Sequence, residues 1–448
     1  MRNAILTAAA VLALAAQIFA ASGALAAGYG LKEHSADAMA AAYAGAAATD
    51  TDASYLAYNP AASAGVADTD ISASMIGILP GSKGDFTTAN TSAGNPTGGG
   101  THPSGYISDA LVPAFGLRHR LSDDLTFGLS VTAPWGLRTD YPANWAGRYY
   151  AEESQLLTIN VTPSIAWQVI PELAVGAGLQ IEYAQGKLTS AIDTGTLGAL
   201  NGIPGAVPGG DDSFARLSGH NWTFGYTLGL QAKPLPGLSL GIAYKSSLQQ
   251  DLKGPFTFTL DGAGIGATLQ AVTGAFTNTT GKAPLTMPDM ITSGARYDLS
   301  DQWTVMAELD WTHWSRVRQL VVTAANPAQP PDLTNFQLKD GYFGSLGAEY
   351  RMDRTWAFRA GVGYDESPAT DATREPRIPD ADRIWLSAGT RIRLQDNLDL
   401  DISAAHLFNK TVPISLNPAT PGNALRGTLA GETQSYVNVV GMEITWRP

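Results

Sequence analysis

The sequence predicts an all-β chain: a transmembrane antiparallel β-barrel of about fourteen strands, closed around an N-terminal plug of short helices. Three observations carry this. Apolar and polar residues alternate with a period of two, several runs lasting ten residues or more, whereas soluble strands average roughly 5–6. Short and long connections alternate strictly between those runs. A small-residue segment that is neither a span nor a strand precedes all of them.

Taken in chain order, residues 1–26 read as a secretory signal peptide. Arg2 supplies the positive start, Ala4 to Ala16 the apolar run, and Ala24-Leu25-Ala26 the small-residue cleavage site. Its removal takes away Arg2 and no acid, so the formal charge of -12 becomes -13. An acidic mature chain argues against nucleic acid as a partner. There is no cysteine, hence no disulfide framework and no thiol chemistry. After the signal no run of 18 apolar residues occurs, so no transmembrane helix is expected.

Residues 27–68 form the plug. Ser35 is placed to cap an Ala-rich helix, and Gly45 with the Asp/Thr cluster after it ends that helix. Side chains this small build no core of their own, so the segment fits inside something larger.

Residues 69–448 form the barrel with its loops. Leu238, Leu240, Ile242 and Tyr244 alternate with Ser239, Gly241, Ala243 and Lys245. Trp303, Val305, Ala307, Leu309 and Trp311 alternate with Thr304, Met306, Glu308, Asp310 and Thr312. A soluble β-sandwich would alternate too. Against it, Trp303 and Trp311 share a face roughly 26 Å apart at ~3.3 Å per residue. Tilted, that is ~20 Å of height, close to the apolar band between two aromatic girdles. Strands are expected near 70–80, 108–120, 125–135, 155–169, 173–192, 220–232 and 238–260. The others fall near 288–299, 303–323, 339–351, 355–366, 383–394, 398–409 and 435–447. The long connections between them are expected at 81–105, 137–154, 194–219, 261–288, 324–337, 366–382 and 410–433.

A start of the form Gly28-Tyr29-Gly30-Leu31-Lys32-Glu33, the Ala-rich helix and Asn59-Pro60-Ala61 resemble the FadL-type outer-membrane transporters of long-chain fatty acids and aromatic hydrocarbons. The resemblance runs over nearly the whole chain. It continues in Trp145-Ala146-Gly147-Arg148-Tyr149-Tyr150, in Asp310-Trp311-Thr312-His313-Trp314-Ser315 and in Pro379-Asp380-Ala381-Asp382-Arg383-Ile384-Trp385. One departure is the end, where Trp446 is followed by Arg447-Pro448 instead of closing on an aromatic. The resemblance implies a monomer in the Gram-negative outer membrane, among outer-membrane lipid and lipopolysaccharide and inserted by the barrel assembly machinery. It also implies passive, ligand-gated diffusion of hydrophobic small molecules with no cofactor and no energy input.

A greasy cargo leaves sideways only if the hydrogen-bonded wall opens. Pro134 lies in a run otherwise readable as a strand, cannot donate to the ladder, and is followed by Gly136, which allows a bend. Either the strand ends at Ala133, or it kinks there. In the resembling family it kinks and opens laterally, which implies an opening lined by Ala133, Pro134, Trp135 and Gly136, with Asn59, Pro60 and Ala61 of the hatch gating it from behind. Loops 137–154 and 194–219 carry Leu137, Trp145, Leu197 and Leu200, which either pack together or collect ligand; the family uses these loops as an outer groove. Lys339 matches the family's pocket lysine and is the expected carboxylate partner. The family's second basic residue, after the fifth strand, is replaced here by Ser190, which favours a neutral aromatic hydrocarbon as the alternative cargo.

Catalysis has little support in the sequence. Six histidines occur, and His313 with nearby Ser315 shows no third member of a triad. No metal-ligand spacing is evident. A general porin is disfavoured because porins fold a loop inward and carry no amino-terminal hatch.

Overall fold

The computed structural model describes residues 28–448, so the signal peptide expected over 1–26 lies outside the described residues. The chain forms β1 (Thr69–Asn90), β2 (Ala110–Arg120), β3 (Leu125–Thr132), β4 (Gly136–Asp140), β5 (Glu153–Ile170), β6 (Leu173–Asp193) and β7 (Asp212–Leu235). Then come β8 (Leu238–Lys245), β9 (Leu248–Thr259), β10 (Thr279–Met287), β11 (Met290–Asp298), β12 (Trp303–Thr312), β13 (Gln319–Ala324) and β14 (Asp332–Asn335). The last are β15 (Gly341–Arg351), β16 (Trp356–Asp365), β17 (Arg383–Gln395), β18 (Leu398–Asn409), β19 (Val412–Leu416) and β20 (Thr428–Trp446). Three pairs, β3/β4, β8/β9 and β10/β11, are halves of single wall strands, and β13, β14 and β19 belong to the long loops. The wall therefore has 14 antiparallel strands. It closes where β1 meets β20, from Ile71↔Trp446 to Asn90↔Thr428.

Each wall strand has one face turned outward. Ile242, Trp303 and Leu309 are 47%, 48% and 59% exposed, while Thr304, Glu308 and Asp310 are buried in the lumen. This is the partition a bilayer imposes, since the outer row meets hydrocarbon and the inner row meets polar groups.

Several strands are longer than their apolar pattern. β1 continues to Asn90 through Gly81-Ser82-Lys83-Gly84, expected as loop, and β7 and β20 begin at Asp212 and Thr428. β10 lies wholly inside an expected loop. Beyond the apolar band the inner face turns apolar, with Phe86, Leu217 and Leu429 buried in one cluster at the mouth, while the outer face no longer meets hydrocarbon; the oily-out, polar-in alternation is lost and the backbone ladder continues. Two long loops also carry helices, Thr194–Leu200 and Ile265–Thr273.

The hatch fills the lumen. Ser35 caps the helix Ala36–Ala40, accepting from the Ala38 amide at 3.1 Å. Asp52 and Asn59 cap the short turns Ala53–Ala57 and Pro60–Ser63 in the same way. Wall carboxylates take the turn-end amides that remain. Glu443 accepts from the Ala36 amide at 2.8 Å, Asp70 from Ala53 at 2.8 Å, and Glu308 from Ala47 at 3.2 Å. Below them Asp37 pairs with Arg359, and Arg391 pairs with Asp52 at 2.7 Å and Asp401 at 2.9 Å. Gly241 lets the hatch backbone approach: a Cβ there would sit 1.9 Å from the Ala47 carbonyl oxygen.

Candidate functional site: an interrupted wall and the cavities behind it

The chain does not end its strand at Ala133. After Thr132↔Asn160 the pairing with β5 resumes at Gly136↔Leu157, so Ala133, Pro134 and Trp135 oppose two residues of β5. This is a one-residue bulge, as expected where proline removes a donor. Thr158 holds it, accepting from the Trp135 amide at 3.0 Å and donating to the Trp135 carbonyl at 2.7 Å. On the other side, β2 pairs with β3 only from Arg120↔Thr126 to Phe115↔Val131. The next contact is the bridge Ile107↔Thr139. Between these points the wall has no ladder.

The start of the hatch covers the gap from inside. Leu31 donates to the Pro134 carbonyl at 2.8 Å, and Gly136 donates to the Tyr29 carbonyl at 2.8 Å. The residues behind the opening are thus Tyr29, Gly30 and Leu31, and not Asn59 and Pro60 as expected. Asn59 instead donates to the Ala47 and Leu230 carbonyls at 2.7 and 3.1 Å and caps the turn at Ala61. These bonds hold Asn59-Pro60-Ala61 against the β7 wall, away from Pro134.

Three cavities run from the long loops to this gap. The upper one, about 330 Å³, is lined by Leu197, Phe256, Phe258, Phe276, Val322 and Ser190, among others. The middle one, about 60 Å³, is lined by Tyr29, Leu137, Leu156, Leu252, Phe336 and Ile378. Upper and middle share Leu188, Leu217, Leu320 and Arg377. The inner one, about 70 Å³, is lined by Leu31, Tyr58, Pro134, Trp135, Phe343 and Trp385, with Lys32, His34 and Lys245. Tyr29 separates middle from inner, edge-on to Trp314 at 4.7 Å and to Trp135 at 5.9 Å.

The expected ligand residues divide. Leu137 and Leu197 line cavities. Trp145 does not: it is sandwiched in the loops, stacked on Tyr141 at 4.1 Å and donating to the Ala151 carbonyl at 2.7 Å. Leu200 is 70% exposed at the end of its helix. Lys339 lines none of the three cavities: its side chain is 46% exposed and its ammonium pairs with Glu366, which itself borders the inner cavity. The cations on the path are Lys32, paired with Asp310; Lys245, donating to the Ala57 carbonyl at 2.6 Å; Arg426, paired with Asp332; and Arg377. Lys245 was legible as a charged member of the lumen row of β8. Arg377 had no signal in the sequence, because only the folding of loop 366–382 into the mouth brings it there.

That loop is held by Tyr141, donating to the Pro376 carbonyl at 3.0 Å, and by Gly28, donating to Asp380 at 3.0 Å. Around Arg377 the charges are muted. Burial pushes the Glu375 carboxyl up to about 7, and burial with Asp212 pushes Glu152 up to about 7. Burial and Arg426 pull Arg377 down to about 10, so it stays charged at neutral pH.

A plugged, side-interrupted barrel with an apolar line of cavities defines an outer-membrane transport barrel. The chain belongs to the outer membrane protein transport protein family (OMPP1/FadL/TodX), whose model matches residues 17–447. The long-chain fatty acid transport protein of Escherichia coli (strain K12) is 28% identical to it over 414 residues, covering 88% of this chain and 90% of the relative. Outer membrane protein P1 of Haemophilus influenzae (strain ATCC 51907 / DSM 11121 / KW20 / Rd) is 26% identical, covering 96% and 97%. Among solved structures, a Pseudomonas aeruginosa FadL homologue superposes with a TM-score of 0.84 at 25% identity, over 94% of this chain and 99% of that one. The P. putida toluene transporter TodX gives 0.65 at 16% identity, over 88% and 94%, which shows the shared fold.

Proposed function

We propose that this protein admits hydrophobic molecules, long-chain fatty acids or related hydrocarbons, by passive diffusion and releases them sideways through the wall beside Pro134. The observation that carries this is the row of three cavities ending at the one stretch where β2 and β3/β4 lack a ladder. Cargo enters between the long loops, at the extracellular end, and crosses the Tyr29 partition. It leaves when residues 28–31 detach from Pro134 and Gly136. Asn59-Pro60-Ala61 acts in this scheme by holding the body of the hatch still. The protein works as a monomer without catalysis, cofactor or energy input. Lipopolysaccharide surrounds its upper half, the barrel assembly machinery inserts it, and residues 1–26 direct its export.

A second reading, uptake of neutral aromatic hydrocarbons, is favoured by Ser190 on the upper cavity and by the apolar lining of the middle one. Proteoliposomes test the shared claim. Swelling in small sugars is expected near zero, while labelled long-chain acid or toluene equilibrates across the membrane. Rapid sugar swelling without hydrophobic uptake would refute it.

A further inference from the structure

Eight arginines are buried among the described residues. Seven of them, Arg118, Arg148, Arg296, Arg359, Arg374, Arg383 and Arg426, have a carboxylate within 4.0 Å. Arg377 has none among the described residues, although it is only 4% exposed. Its Nη1 donates to the Ser154 hydroxyl at 2.9 Å and to the Thr189 carbonyl at 3.3 Å, both neutral acceptors. Its Nε and Nη2 have no partner among the described residues. An unpaired buried charge is costly, and proteins place one where a ligand of opposite charge completes it.

The surroundings say what that ligand is. Arg377 sits at the waist between the upper and middle cavities, flanked by Leu188, Leu217 and Leu320. A planar guanidinium fork matches the two oxygens of a carboxylate, and the leucines match a hydrocarbon chain attached to it. A doubly charged head group is disfavoured, because Glu375, Asp332 and Glu152 already lie within electrostatic range of Arg377. Arg426 offers no alternative seat, since its charge is matched by Asp332.

We propose that Arg377 is the head-group receptor of this path, binding the carboxylate of a single-chain amphiphile and so selecting acids over neutral hydrocarbons as cargo. The proposal rests on the uptake reading above. Lys245, which also has no carboxylate within 4.0 Å among the described residues, lies beyond the Tyr29 partition in the inner cavity, beside the Asp310-paired Lys32.

The test measures binding to the detergent-purified full-length barrel of a long-chain acid, its methyl ester and an alkane of equal length. The wild type is expected to prefer the acid over the ester by roughly tenfold or more, the size of one charge-assisted hydrogen-bond pair. Arg377→Met is expected to lose that preference while keeping ester and alkane affinity within about twofold, and Arg377→Lys to recover part of it. Heat-dependent gel mobility checks that each variant is folded. If Arg377→Met weakens acid and ester equally, Arg377 is structural and the proposal falls. A wild type that binds acid and ester alike overturns it without any variant. Failure of the wild type to bind all three probes would remove the uptake reading itself, a distinguishable result.

Discussion

Tyr29→Ala is the sharpest probe of the path. The ring is 1% exposed, lies edge-on to Trp314 and Trp135, and its hydroxyl donates to the Thr286 carbonyl at 2.9 Å. Each aromatic pair contributes about 0.5–1.5 kcal/mol beyond burial. The whole truncation costs about 3–5 kcal/mol, as for other buried aromatics replaced by alanine. The main-chain bonds from Leu31 to Pro134 and from Gly136 to Tyr29 do not need the side chain. The loss therefore falls on the attachment of residues 28–31, and not on the wall. At 1.4 kcal/mol per tenfold, the detached state becomes roughly a hundred to several thousand times more populated. If detachment limits passage, the initial rate of uptake of a labelled long-chain acid rises at least severalfold, up to whatever step is next slowest. The assay compares cells carrying equal amounts of folded barrel. Uptake at or below the wild-type rate, with the barrel intact, would show that the three-ring partition is not the barrier.

Other expectations follow from the same geometry. Lys339→Ala removes a half-exposed ion pair with Glu366, worth at most about 1 kcal/mol, and leaves acid and hydrocarbon binding within about twofold in an equilibrium binding assay. Asn59→Ala deletes a cap and two bonds, to Ala47 and Leu230, and costs roughly 1–3 kcal/mol. It is expected to lower the temperature at which the barrel's gel mobility changes and to admit small sugars that the wild type excludes. Acid binding should weaken as pH rises from 6 to 8. Glu375 and Glu152, held up to about 7, ionise in that window and compete with the ligand for Arg377, while Asp332 and Arg426 keep their charges. Glu375→Gln should flatten part of this dependence, and the methyl ester should show none. The sign for stability is the same. A carboxyl whose folded pKa is raised favours the folded state in its neutral form, so that contribution is lost as pH climbs from about 4.5 to about 7.

Much of the architecture was legible in the chain. Ser35 starts its helix because its oxygen satisfies a nearby amide whatever surrounds it, while the caps at Asp52 and Asn59 emerge only with the turns that the folded hatch makes there. Pro134 interrupts its strand because it has no N–H to give. Leu240, Ile242 and Leu309 face outward because a side chain on a strand has two directions, and hydrocarbon lies on one side.

Tertiary structure decided what lines the path. Period-two alternation records which solvent a strand faces, so it falls silent where β1 and β20 leave the apolar band, and it does not report on loops. Lys339 and Arg377 are both loop cations in the sequence. Loop 366–382 folds inward, which buries Arg377 between two cavities, while Lys339 is left half-exposed on Glu366. Trp145 and Leu197 are both apolar loop residues, yet one packs on Tyr141 and the other meets the upper cavity. The segment that covers the gap, Tyr29 to Leu31, stands about a hundred residues before the strand it seals. The chain by itself determined the wall, the Ser35 cap of the hatch and the place of the break, since each depends on local chemistry. Only the closed fold decided which charges lack a partner, because that depends on carboxylates brought near from distant strands and loops.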